Sequence, residues 1–331
     1  KNRFFEKLRK RLPLPTRHLD ELIAEQVVTA ESTGARLIIP GDAQWPTQLN
    51  DLAERAPLGL WVVGTADLRL LALRSVAIVG ARAATTYGLM LSRNTAATLA
   101  DHGWLVVSGG AFGIDAAAHQ GALDAGGSTA CVLAGGIDVT YPRAHEGLFR
   151  AIAGQGLLIS EAALGASAQR QRFLTRNRII SALTRSTVVV EAALRSGSRT
   201  TAREAEELFR LVMAYPGPVT SSASAGCHEL IKSRLAVLVS DAADVLSLLG
   251  ETEVAPEQIQ LSIPAETDAE TDVETVVFDQ MRERKTATAE GLARDTGFPV
   301  DDVVAALGLL ELAGLITRNQ NRWRFRARHG S

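Results

Sequence analysis

Between Ser75 and Gly250 the chain repeats one pattern: a short apolar run, a turn, then a longer stretch whose apolar positions recur every three or four residues. The runs fall at 76–79, 105–107, 129–133, 157–160, 187–190, 211–214 and 236–239. A run this short and apolar at nearly every position reads as a strand buried on both faces. The spacing between runs predicts helices, for example over 87–101, 115–125 and 200–208. Strand and helix in alternation define an α/β protein, here a doubly wound, mostly parallel sheet.

The flanks differ. Thr16 can cap a helix over 17–32 with Leu19, Leu22, Ile23, Gln26 and Val27 on one face. Two further strands are expected at 37–39 and 58–63, with turns at Gly41-Asp42 and Trp45-Pro46. Residues 251–274 carry eight acids and no Lys or Arg, the composition of a solvated linker. After it come an amphipathic helix over 276–284, a short helix closed by Gly297, a third helix over 300–313 and a hairpin with its tip at 319–321. That order outlines a winged helix. The division is therefore 1–35, a small helical lead-in; 36–250, the doubly wound sheet domain; 251–274, the linker; and 275–331, the winged helix.

Composition narrows the class. With 46% apolar and 22% charged residues the chain is an ordinary globular protein, and its net charge of −2 confines any nucleic-acid site to a local patch. Cys131 and Cys227 lack metal-ligand spacing, so no disulfide framework is expected and a reducing cytoplasm fits. No run approaches the ~18 apolar residues of a membrane span. The chain begins at Lys1 without an initiator methionine, which fits a trimmed or processed start.

Two strands end in glycine turns that feed helices: G-A-R-A-A-T-T-Y-G after 76–79 and S-G-G-A-F-G-I-D after 105–107. Glycine lets backbone approach a ligand, and the next helix's N–H groups favour an anion. Neither turn carries the dinucleotide fingerprint or a P-loop lysine. Between 170 and 203 stand eight arginines against one acid, Glu191. Arginines and small hydroxyl residues at a helix start make a further phosphate cradle, and Phe173 can stack a base. Several cradles in a row suit a single strand whose phosphates are tracked in turn. No catalytic set emerges; Asp115 is read as a first-turn carboxylate or a partner for Arg82. The hairpin arginines and Trp323 can grip a backbone, whereas the third helix of the winged domain carries Asp301, Asp302 and Glu311 and favours protein contact.

These motifs, with G-G-I-D-V-T-Y-P, F-L-T-R-N-R-I-I-S-A-L, V-V-V-E-A-A-L-R-S-G-S-R-T-T-A and Y-P-G-P-V, resemble the DNA-processing protein A family (DprA, also called Smf) over nearly the whole chain. The upstream P-G-D-A-Q-W-P-T-Q-L segment also matches. The resemblance implies an extended Rossmann-like domain over 36–250, an N-terminal segment of SAM-like kind, single-stranded DNA as ligand, no cofactor, metal or catalysis, a homodimer through that Rossmann-like domain, and assistance in loading the recombinase RecA during natural transformation and repair. Matched motif by motif, it assigns the DNA pocket to Arg82, Ser108, Gly109, Gly110, Arg170, Phe173, Arg176, Arg178, Arg195, Ser196, Gly197 and Ser198. Arg322, Trp323 and Arg324 are candidates for a secondary DNA contact. Arg195 stands where the family often has lysine, His228 where asparagine is common, and Lys232-Ser233-Arg234-Leu235 where Gly-Ala is usual.

Two other readings stay in view. A nucleotide N-glycosidase of the phosphoribohydrolase type would use the S-G-S-R-T-T-A-R-E loop with Glu204 as its acid. A duplex-reading transcription factor would need a basic recognition helix in the winged domain.

Overall fold

The computed structural model describes residues 16–251, 277, 280–281, 286–312, 316–319 and 322–325. The chain divides into two compact units, Lys1–Val254 and Ala255–Ser331. The basic stretch before Thr16, the expected linker (251–274) beyond Glu251, most of the expected helix over 276–284 and, of the expected hairpin tip (319–321), residues 320–321 lie outside the described residues.

The larger unit is built on a nine-stranded sheet in the order β1-β2-β6-β5-β4-β3-β7-β8-β9. The strands are β1 (Arg36–Ile38), β2 (Leu60–Val63), β3 (Ser75–Val79), β4 (Leu105–Ser108), β5 (Thr129–Leu133), β6 (Leu157–Ser160), β7 (Ser186–Val189), β8 (Leu211–Ala214) and β9 (Val237–Leu238). β3 through β9 pair in parallel, whereas β2 joins β6 antiparallel and β1 joins β2 antiparallel. Every residue of β3, β4, β5, β6 and β7 is buried, because helices cover both faces and leave no polar side to show.

Those helices are α1 (Thr16–Thr33), α2 (Leu68–Ala72), α3 (Thr86–Asp101), α4 (Ile114–Asp124), α5 (Glu146–Gln155), α6 (Arg170–Leu183), α7 (Ser198–Glu207), α8 (Ala225–Lys232) and α9 (Ala242–Leu248). Those expected elements that fall within the described residues stand within two residues of their places at either end, with one change and with additions that include a 3-10 turn at Arg143–His145. Thr47–Arg55 is a 3-10 turn burying Leu49 and Leu52 where only turns were expected, and α2 is a short helix capped by Asp67. The run at 236–239 contracts to β9, an edge strand whose two side chains are exposed while Ala236 and Val239 are buried.

One core lies on each face of the sheet. Leu49, Leu60, Val62, Leu157, Ile159, Ile179 and Val189 belong to one, and Val76, Ile78, Leu99, Val106, Ile114 and Tyr215 to the other. Strands β3 through β6 step one way along the sheet and β7 through β9 step the other way from β3. The reversal falls between β3 and β7, where a doubly wound sheet opens its ligand crevice beyond the strands' carboxyl ends.

The smaller unit contains α10 (Ala289–Thr296), α11 (Val300–Leu312) and the ribbon of β10 (Ile316–Asn319) and β11 (Arg322–Phe325). Thr288 caps α10 by accepting the Gly291 N–H, and Gly297, at φ 78°, closes it in the left-handed region that favours glycine. Ala287 exchanges both backbone hydrogen bonds with Trp323, adding a third rung beside the ribbon. Leu292, Val303, Leu307, Ile316 and Trp323 make its core. This is a winged helix.

Candidate nucleic-acid interface

A crevice of about 600 Å³ opens at the sheet's switch point. The turns after β3 and β4, the first two turns of α6 and the start of α7 form its walls. A narrower slot continues from it between the Gly109-Gly110 backbone and the Ala134-Gly135 backbone, walled by Phe112, Tyr141 and Phe173. Tyr141 and Phe112 are about half exposed, and Tyr141 meets Phe173 edge-on at 5.8 Å between centroids. The guanidinium of Arg82 lies 4.7 Å from the Phe173 ring centre.

Three anion cradles were expected around this crevice, and two of them are filled by the protein's own carboxylates. At the start of α3, the Glu191 carboxylate, itself buried, accepts the Thr85 N–H at 2.9 Å and the Thr85 hydroxyl at 2.5 Å. In the turn after β4, Asp115 accepts the Ala111 N–H at 3.3 Å and draws the Gly109 N–H as well. A helix N-terminus attracts negative charge from any source, and here an internal carboxylate supplies it. Burial pushes the Asp115 pKa up, against the pull of the Arg176 charge and the turn's N–H groups. Arg176, not Arg82, is therefore the cation beside Asp115.

Arg176 is buried and donates to the Val132 carbonyl. Its guanidinium lies so close beneath Gly109 that a Cβ there would stand 2.1 Å from Nη1. That contact, more than a ligand's approach, explains why residue 109 has no side chain. Burial also lowers the Arg176 pKa, with Asp115 opposing the shift. Gly113, at φ 77°, passes so close to the turn after β3 that a Cβ would meet the Ala81 carbonyl at 2.3 Å, and Ile114 N–H donates to that same carbonyl. The two glycine turns are thus locked to each other.

The third cradle is open. α7 begins at Ser198 with no acid in its first turn; Gly197 before it offers no side chain, the Ser196 hydroxyl accepts the Ser198 N–H at 3.3 Å, and the Ser196 and Ser198 hydroxyls lie 2.7 Å apart at the crevice wall. α6 also begins without a cap or a first-turn acid, and it places Arg170 and Arg172 there instead. Cations at a helix N-terminus oppose the dipole, and an anion placed there would offset both.

The structure thus brings Arg82, Gly109, Gly110, Arg170, Phe173, Arg176, Ser196, Gly197 and Ser198 to one crevice and its slot. Three assigned residues stand apart from it. Ser108 is buried and gives its hydroxyl proton to the Ile78 carbonyl at 2.6 Å, because a strand-end hydroxyl in a packed sheet bonds its neighbour. Arg178 points to the other side of α6, where it meets Glu161 at 2.8 Å. Arg195 is exposed on the loop before α7, outside the crevice wall. In the winged unit Arg322 and Arg324 are exposed, but Trp323 is a core residue with Arg318 packed 4.9 Å over its ring, so its face is not open to a base. Phe112 and Tyr141 were not assigned from the sequence; their place inside the S-G-G-A-F-G and V-T-Y-P motifs was the available signal. Glu204 lies outside the crevice, paired with Arg55 at 2.8 Å. Among the described residues no group of three or more His, Cys, Asp or Glu side chains could hold a metal, and no helix is long and apolar enough to cross a membrane.

A doubly wound sheet with its crevice at the switch point, followed by a winged helix, places the chain among the Rossmann-like α/β proteins that carry a second, helical module. It belongs to the DNA recombination-mediator protein A (DprA/Smf) family: that family's model matches residues 36–250, and a DprA winged helix domain model matches 262–321. The chain is 44% identical to a putative DNA processing protein DprA of Mycobacterium tuberculosis over 302 residues, 88% of this chain and 77% of the relative. It is 37% identical to protein Smf of Escherichia coli over 84% of this chain and 74% of the relative. Among solved structures, DNA processing protein A of Streptococcus pneumoniae superposes with a TM-score of 0.62 at 35% identity, covering 71% of this chain and 78% of that one. The Helicobacter pylori protein, whose structure was described for its unique single-stranded DNA binding mode, superposes with a TM-score of 0.58 at 28% identity over 65% of this chain and 95% of that one.

Proposed function

We propose that this chain is a non-enzymatic recombination mediator that grips single-stranded DNA in the switch-point crevice. In this role it protects incoming strands and helps load a RecA recombinase in transformation and repair. The observation that carries the reading is the pair of acid-free helix starts at α6 and α7 facing one cavity, with Arg82 and Arg170 at its rim and aromatic rings along its slot. Helix termini and arginines take phosphates, and the rings take unstacked bases that a duplex keeps paired. The Helicobacter pylori relative's single-strand binding supports the same assignment. A cytoplasmic homodimer joined through the Rossmann domain fits the family. In this reading residues 1–35, 36–250, 251–274 and 275–331 act as lead-in, DNA-binding domain, linker and winged helix, and Arg322 and Arg324 offer the winged unit's exposed cations to a backbone.

The test is fluorescence anisotropy of a labelled single strand and its duplex across a salt series. We expect single-strand preference with a steep salt slope. Arg82→Ala and Arg170→Ala should each flatten that slope by about 0.7–1. Arg178→Ala should leave it unchanged, since that charge is spent on Glu161. Equal, shallow binding to both forms, or a slope insensitive to Arg82 and Arg170, would refute the assignment. Recombinase loading is tested by whether the chain restores strand exchange on a single strand pre-coated with single-strand-binding protein.

A further inference from the structure

The wall of the crevice opposite α7 is completed by the loop joining β6 to α6, and that loop is held from outside the sheet. Gln26 of α1 donates its amide N–H to the Leu164 carbonyl at 3.2 Å and accepts the Leu164 N–H at 2.8 Å. One side chain thus satisfies both backbone groups of a buried residue, as a neighbouring strand would. Leu164 packs with Ala30 of α1 and with Ile137 and Leu158 beneath. The chain then turns directly into the crevice. Gly165 N–H donates to the Asp138 carboxylate at 2.9 Å, and the Ala166 carbonyl accepts the Gly136 N–H at 2.7 Å. Ala168 lines both the crevice and the slot, and Arg170 begins α6.

We propose that Gln26 is a positioning residue for the crevice: through it the N-terminal helix pins the 161–169 loop and so sets how firmly a bound single strand is retained. The inference rests on the single-strand reading of the crevice. It makes α1 a control element, since anything that draws this helix away releases the loop at its midpoint while leaving every crevice side chain in the chain.

The experiment compares the full-length wild type with Gln26→Ala and Gln26→Glu. Hydrogen exchange reads the amides of 161–169, and competitor chase reads dissociation of a labelled oligothymidine. In Gln26→Ala we expect local exchange to rise roughly tenfold and strand dissociation to quicken roughly three- to tenfold, the scale of one or two lost hydrogen bonds. The salt slope should not change, because no phosphate-facing charge is lost. Gln26→Glu keeps the acceptor for the Leu164 N–H and loses the donor, so it should fall between the two. Unchanged exchange at Leu164, faster exchange with unchanged dissociation, or faster exchange spread across β5 and β6 would each overturn the inference. A wild type that retains no single strand would instead refute the reading of the crevice, and this inference with it.

Discussion

His119, buried within α4, carries a protonation state that the structure defines. Thr129 gives its hydroxyl proton to the Val106 carbonyl, so the imidazole Nδ1, 2.7 Å away, must be the donor to that hydroxyl, and Nε2 is left without a partner. Burial, helped by the nearby Arg176 charge, pulls the His119 pKa down to about 3. The unfolded chain takes up this proton at an ordinary histidine pKa while the folded one refuses it. Stability from this residue is therefore complete above pH ~6.5 and declines by about 1.4 kcal/mol per unit as pH falls toward 3. Denaturant titrations from pH 7 to 4 should show that slope, and His119→Leu should reduce it. At the same scale, Gly109→Ala must displace the Arg176 guanidinium or the turn itself. The expected result is a folded protein with weakened single-strand binding, read by circular dichroism beside anisotropy; undiminished binding would show that the turn absorbs the methyl group.

At the scale of elements, β3 to β8 were legible because a strand buried on both faces is apolar at most positions, with only small hydroxyl residues such as Ser75, Ser108 and Thr129 among them. The 3-10 turn at Thr47–Arg55 was not, since Leu49 and Leu52 are two apolar positions in an otherwise polar stretch. β9 was overread: its apolar run lies at a sheet edge, where burial falls on the flanking Ala236 and Val239. The candidate site divides the same way. The excess of arginine between 170 and 203 and the S-G-S turn pointed to the α6 and α7 ends, where the charge asymmetry is local in sequence. What stayed hidden is long-range pairing. Glu191, just past β7, holds Thr85, the residue that caps α3, and Asp115 feels the charge of an arginine on α6. Glycine turns before helices therefore promise anion binding without saying whose anion occupies them.

At the scale of the whole molecule, each unit owns a core, and substitutions should be felt by the unit that contains them. Trp323→Ala removes the largest core side chain of the winged unit and should cost it about 3–5 kcal/mol. Arg322→Ala with Arg324→Ala should cost little, as both are exposed. Thermal unfolding followed by circular dichroism separates the two, and a tolerated Trp323→Ala would contradict the packing described for the hairpin.

The strand order carries one more consequence. β3 and β7 stand side by side, yet their paired residues are about 110 positions apart in the chain, and α7, the open helix start, comes later still. Contacts so distant form late, after loop closure has been overcome. During synthesis the first half of the sheet leaves the ribosome with its two glycine turns made but the crevice lacking a wall. A chain ending before β7 is therefore expected to hold a single strand far more weakly than the finished protein and not to compete with it for DNA.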